Sequence, residues 1–127
     1  MTEGRIVLVA VEDDPDFQLL IRATLSADPR IEISGEMPDN IERAIEMARE
    51  VQPGLIILDH NLEGEMVGLG AAPKLKEAAP GAKILLFTSY DVAAEASREP
   101  ALDAYLRKDE IEKLLPTALG LVGLDAE

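Results

Sequence analysis

An α/β fold, with a parallel sheet covered by helices on both faces, is predicted by three observations. Short apolar runs rich in β-branched residues alternate with segments of helical periodicity along the chain. The strongest of these runs are apolar throughout instead of alternating with polar residues, which is the pattern of strands buried on both sides. Two of them, Ile6–Val11 and residues 54–59, end in carboxylates, at the strand tips where such sheets carry their chemistry.

The elements follow in order. Ile6–Val11 reads as a first buried strand, closed by Glu12-Asp13-Asp14. Asp14 is placed to cap the next helix, and Pro15 suits its first position. Phe17, Leu20, Ile21, Thr24 and Leu25 recur at helical spacing to about Ala27, where Asp28-Pro29 breaks the pattern. Ile31-Glu32-Ile33-Ser34 alternates, as a strand exposed on one side does. Asp39 is a candidate cap for a helix whose apolar stripe is Ile41, Ala44, Ile45, Ala48 and Val51. Pro53-Gly54 leads into the third strand, which ends at Leu58-Asp59.

A glycine-rich loop from Glu63 to Gly70 precedes a helix that stops before Pro80-Gly81. Proline suits a first helical turn and not an interior, so Pro73 leaves the start of that helix open. Residues 82–87 form a fourth strand followed by Thr88-Ser89, and a short helix spans roughly residues 91–98, closed by Pro100. A short strand at residues 104–106 ends at Arg107-Lys108, and a final helix runs from Asp109 to about Val122 with Pro116 as a candidate kink. Five strands alternating with five helices, joined by right-handed crossovers, give one doubly wound, flavodoxin-like domain over residues 1–127.

Composition narrows the function. The formal charge is −13, from 25 acidic and 12 basic residues, so phosphate backbones and anionic membranes repel this surface. Direct nucleic-acid or membrane binding is therefore not expected, whereas a cation or a basic partner surface is. There is no cysteine, which excludes disulfides, zinc-thiolate sites and thiol catalysis. The N-terminus, Met1-Thr2-Glu3-Gly4-Arg5, lacks the features of a signal peptide, and no apolar stretch approaches the ~20 residues of a membrane span. A soluble, cytoplasmic protein is the expectation.

The strand tips define a constellation. Strand one brings Glu12 and Asp13, strand three Asp59, strand four Thr88 and strand five Lys108 to one sheet edge. Clustered carboxylates need a cation or raised pKa values, and hard oxygen donors without histidine or thiol favour Mg²⁺ or Mn²⁺. A divalent ion, an ammonium and a hydroxyl around one free carboxylate suit acceptance of a phosphoryl group. Taken singly, each residue has an ordinary explanation. A strand-end carboxylate serves as a cap or turn residue, Thr88 as a β-branched terminus, Lys108 as a solvated lysine and Tyr105 as strand packing. His60 reads as a surface or packing feature.

Four pieces, Val11-Glu12-Asp13-Asp14-Pro15, Leu58-Asp59-His60-Asn61-Leu62, Phe87-Thr88-Ser89 and Tyr105-Leu106-Arg107-Lys108-Asp109, resemble the receiver domains of two-component response regulators, including the chemotaxis regulators, in order and approximate spacing. The resemblance implies a strand order of 2-1-3-4-5. It implies that Asp59 is the phosphoacceptor, loaded from a sensor histidine kinase or a phosphotransfer protein. Glu12, Asp13, Asp59 and the backbone carbonyl of Asn61 would hold Mg²⁺, with Glu12, longer than the commoner aspartate, acting through water. Thr88 and Lys108 would contact the phosphoryl group, and Thr88 and Tyr105 would form a switch. The surface of the fourth helix, fifth strand and fifth helix would meet a downstream effector protein or domain or, after phosphorylation, a second copy. Such a domain phosphorylates and dephosphorylates itself without being an enzyme on other substrates.

Three departures stand beside the resemblance. The stretch Glu63-Gly64-Glu65-Met66-Val67-Gly68 is one residue longer than the family pattern, the Thr88-to-Lys108 segment is short, and Asp109 replaces the commoner proline. The irregular loop motivates an alternative reading, a receiver-fold interaction module working without phosphorylation. A Mg²⁺-dependent phosphatase with an aspartyl-phosphate normally needs a second acid two residues after the nucleophile, where this chain has Asn61. The expected context is a stand-alone receiver, or one excised from a larger regulator or hybrid kinase.

Overall fold

The computed structural model describes residues 5–124, so the Met1–Gly4 segment read for a targeting signal lies outside the described residues. Five strands build one parallel sheet: β1 (Ile6–Val11), β2 (Ile31–Ile33), β3 (Leu55–Leu58), β6 (Lys83–Thr88) and β7 (Ala104–Arg107). Their order is β2-β1-β3-β6-β7, which is the 2-1-3-4-5 order of a flavodoxin-like domain once a small separate hairpin, β4 (Asn61–Leu62) and β5 (Glu65–Met66), is set aside. Among the described residues no helix is long and apolar enough to cross a membrane.

The side-chain alternation of the strands creates two cores. Val9, Val11, Ile56, Leu58, Ile84 and Leu86 face one side, against α2 (Ile41–Val51), α3 (Gly68–Ala78) and α4 (Ala93–Ser97). Leu8, Ala10, Leu55, Ile57, Leu85 and Phe87 face the other, against α1 (Pro15–Leu25) and α5 (Leu114–Leu121). Central strands apolar on both faces are thus buried on both faces, as their composition requires.

Helix boundaries confirm some local readings and correct others. Asp14 caps α1, its Oδ1 accepting from Asp16 N at 2.9 Å, with Pro15 in the first turn. The cap of α2 is Asn40 and not Asp39: Asn40 Oδ1 accepts from Arg43 N at 2.9 Å. Pro73 lies inside α3. The burial of Ala71, Ala72, Leu75 and Ala78 holds that helix together across the missing N–H. The last helix is not continuous from Asp109: a 3₁₀ segment, Lys108–Lys113, precedes α5. Pro116 therefore falls in the first turn of α5, where no N–H is required.

The long stretch after β3 is not an irregular loop. Leu62 pairs with Glu65 around a two-residue turn, Glu63 at φ 55° and Gly64 at φ 81°, the signature of a type I′ hairpin.

At the opposite end of the sheet, Asp103 fastens α3, β6 and β7 together. Its Oδ2 accepts from Lys76 Nζ at 2.9 Å and from Ile84 N at 2.8 Å. These bonds outweigh the effect of burial and hold its carboxyl below the ordinary range. Asp103→Ala is expected to lower stability by about 1.5–3 kcal/mol by removing charge-assisted bonds and orphaning Ile84 N, as urea unfolding will show.

Candidate functional site

The sequence-predicted residues converge. Glu12 and Asp13 leave β1, Asp59 leaves β3, Thr88 ends β6 and Lys108 follows β7, and these parallel strands share their C-terminal edge. Glu12, Asp13, Asp59, Asn61 and Lys108 line a pocket of about 250 Å³ there. A larger, mainly apolar cavity of about 400 Å³ lies between the turn after α1 and α5, away from this constellation.

Lys108 organises the pocket. Its Nζ lies 2.8 Å from Glu12 Oε1 and 2.9 Å from Asp59 Oδ2, and it stands 4.1 Å from the centroid of the Phe17 ring. The aromatic face adds a cation–π contact to the two ion pairs. Burial opposes the ammonium, but the hydrogen bonds to Glu12 and Asp59 outweigh it and raise the Lys108 pKa. Glu12 is 1% exposed and Asp59 4%. Asn61 N donates to Asp59 Oδ1 at 3.3 Å, Asp14 N donates to Glu12 Oε2 at 3.1 Å, and Glu63 N donates to Asp13 Oδ2 at 2.8 Å. The hairpin turn is therefore tied to one of the acids.

Oxygens of Glu12, Asp13 and Asp59 lie within 4.8 Å of one another. Three carboxylates against one ammonium leave an excess of negative charge, and the donors are all hard oxygens. The acidic cluster thus fits a hard divalent cation such as Mg²⁺. Both Glu12 oxygens are already engaged, Oε1 by Lys108 Nζ and Oε2 by Asp14 N.

Burial, the largest cause, and the charge of Asp59 push the Glu12 carboxyl from 4.5 to about 7, against the pull of Lys108. The metal-free folded protein thus keeps a proton that the unfolded chain releases as pH rises through this window. Stability is expected to fall between about pH 5 and about pH 7.5, by roughly 2–3 kcal/mol from this group. His60, whose pKa is lowered mainly by burial, acts in the opposite sense. The difference between wild type and Glu12→Gln, unfolded with urea in EDTA, isolates the Glu12 contribution, and Mg²⁺ should remove most of it.

Thr88 is fully buried, its Oγ1 accepting from Tyr90 N at a long 3.4 Å. Tyr105 is half-buried against the α2–α3–α4 core, and its hydroxyl donates to Tyr90 O at 2.9 Å and accepts from Val92 N at 3.1 Å. It thereby pins the loop between β6 and α4, which is a short helix as the spacing implied. Three contributors escaped the sequence reading. In the sequence Phe17 belongs to an apolar stripe, Tyr90 stands in no motif, and His60 reads as a surface or packing feature. Asn61 Nδ2 donates to the Tyr90 hydroxyl at 3.2 Å across the pocket mouth.

The fold and site together define an α/β domain of flavodoxin-like topology with a lysine-bridged carboxylate cluster at its strand tips. The chain belongs to the response regulator receiver domain family, whose model matches residues 7–119. It is 32% identical over 111 residues to the nitrate/nitrite response regulator protein NarL of Escherichia coli (strain K12), covering 85% of this chain and 50% of that protein. It is 31% identical over 116 residues to the response regulator protein VraR of Staphylococcus aureus (strain Mu3 / ATCC 700698), covering 90% of this chain and 54% of that one. The chain thus spans about half the length of these curated relatives. The solved response regulator domain of Thermotoga maritima CheB superposes with a TM-score of 0.79 at 15% identity, covering 96% of this chain and 99% of that one. The domain is a signalling module of two-component systems.

Proposed function

We propose that Asp59 is the phosphoacceptor of this receiver, taking the phosphoryl group from a phosphohistidine of a sensor histidine kinase or phosphotransfer protein. The observation that carries the reading is Lys108, bridging Asp59 and Glu12 within hydrogen-bond distance beside Asp13. A carboxylate oxygen of Asp59 attacks phosphorus as the P–N bond breaks, and the leaving imidazole takes up a proton. Lys108 neutralises charge on the acceptor and then on the new phosphoryl oxygens. Glu12, Asp13, Asp59 and the Asn61 carbonyl would hold Mg²⁺ (or Mn²⁺), which would supply further charge neutralisation at the phosphoryl oxygens.

Thr88 turns toward the phosphoryl group, releasing the β6–α4 loop that Tyr105 pins, and the α4–β7–α5 surface changes for an effector protein or domain. The same site returns to its starting state by hydrolysis. With a charge of −13, this domain itself does not contact nucleic acid. Incubation with acetyl phosphate and Mg²⁺ should add one phosphoryl group, mapped by mass spectrometry to Asp59 and prevented by EDTA. An unmodified protein, or an adduct at another residue, overturns the reading.

A further inference from the structure

We propose that His60 is a positioning residue for phosphoryl acceptance, locking the segment that carries Asp59 and Asn61 by capping α3. The start of any helix leaves N–H groups without intrahelical partners. At α3 the residue in the cap position, Val67, makes no side-chain bond. One residue outside the helix replaces it. His60 O accepts from Val67 N and from Gly68 N, both at 2.9 Å, and His60 Nδ1 accepts from Leu69 N at 3.2 Å. The residue is 8% exposed, so water does not compete well for these donors.

The location gives this cap a consequence beyond helix stability. On the strand side, Asp59 N donates to Val11 O at 3.1 Å. On the other side, His60 is bolted to α3. Between these anchors lie the Asp59 carboxylate and Asn61, whose N–H reaches Asp59 Oδ1 at 3.3 Å. Loosening one anchor lets the acceptor and the neighbouring carbonyl drift, and a misplacement of about 1 Å costs of order 100-fold in rate. An Nδ1 that accepts an N–H must be unprotonated, so the ring proton sits on Nε2. Asparagine can place an oxygen where Nδ1 stands, whereas leucine fills the same space without an acceptor.

The inference rests on Asp59 being the acceptor, and the test separates the two. Nitrogen-15 NMR of the wild-type ring should show the neutral Nε2–H tautomer near neutral pH; an Nδ1–H ring overturns the proposal. Calorimetric Mg²⁺ titration of the full chain should show affinity about tenfold weaker in His60→Leu and within about threefold of wild type in His60→Asn. Adduct formation from acetyl phosphate at saturating Mg²⁺ should follow the same pattern. A purely structural role would lower melting temperature while leaving Mg²⁺ affinity and rate per folded molecule unchanged, and that result overturns the inference, as does failure of asparagine to rescue. If His60→Leu does not fold, the tautomer and the asparagine variant decide. A wild type that forms no adduct but shows the expected tautomer and Mg²⁺ pattern overturns the acceptor reading and with it the role in phosphoryl acceptance, while supporting the locking of the Asp59–Asn61 segment.

Discussion

Asp59→Asn is expected to abolish phosphoryl acceptance from acetyl phosphate while making the metal-free protein more stable. Loss of acceptance follows because a carboxamide is no nucleophile at the position that Lys108 holds. The gain in stability follows from charge. Glu12 and Asp59 are both buried and share one ammonium, and the charge of Asp59 is one of the causes that raise the Glu12 pKa. Removing one carboxylate leaves a one-to-one Glu12–Lys108 pair, and an asparagine oxygen can still accept from Nζ. At neutral pH in EDTA the gain should be about 1–2 kcal/mol in urea unfolding, since like charges in a partly desolvated site repel. Mg²⁺ should stabilise wild type more than the variant. A variant less stable than wild type in EDTA would mean that the Asp59–Lys108 pair outweighs the repulsion.

The fold was legible because its central strands are buried on both faces. Residues with no polar alternation, such as Leu55–Leu58, leave a parallel sheet as the economical solution, and β3 occupies its centre. The four tip residues Glu12, Asp59, Thr88 and Lys108 were legible for the same reason, since each directly follows or ends an apolar strand. The β4–β5 hairpin was not. Its strands are two residues each, too short for any periodicity, and its turn uses Glu63 where asparagine or aspartate would signal a type I′ turn. The cap of α2 was misassigned because Asp39 and Asn40 are equally good candidates chemically; only the Asn40 backbone, at φ −146° and ψ 161°, decides between them. His60 could not be read as a cap, because the helix it serves begins eight positions later, at Gly68. Sequence patterns report local periodicity, and bonds formed by chain reversal are outside their reach.

Gly68 carries the second large expectation. Gly68→Ala should destabilise the domain by about 3 kcal/mol and impair phosphoryl acceptance together, because it forces overpacking against backbone that has no room to yield. A Cβ built on Gly68 would stand 2.4 Å from Asp59 O and 2.5 Å from His60 Cα, well inside van der Waals contact. Neither neighbour is a flexible side chain. Both belong to the peptide that leaves β3, and Gly68 N donates to His60 O in the same contact. Relief therefore requires α3 to move away from the sheet, which breaks the His60 cap and draws Leu75 and Ala78 from the core they share with α2. Conformational freedom is not the reason for glycine here, since Gly68 is helical and is not among the positive-φ glycines, Gly64 and Gly123. The reason is approach distance alone. Gly70, two residues on, meets nothing within 4 Å and serves as the control: Gly70→Ala should be neutral or stabilising by up to about 1 kcal/mol, as alanine replaces glycine in a helix. Urea unfolding of the two variants side by side checks the pair. Equal effects would show that helix propensity, and not contact with the acceptor's backbone, governs the start of α3.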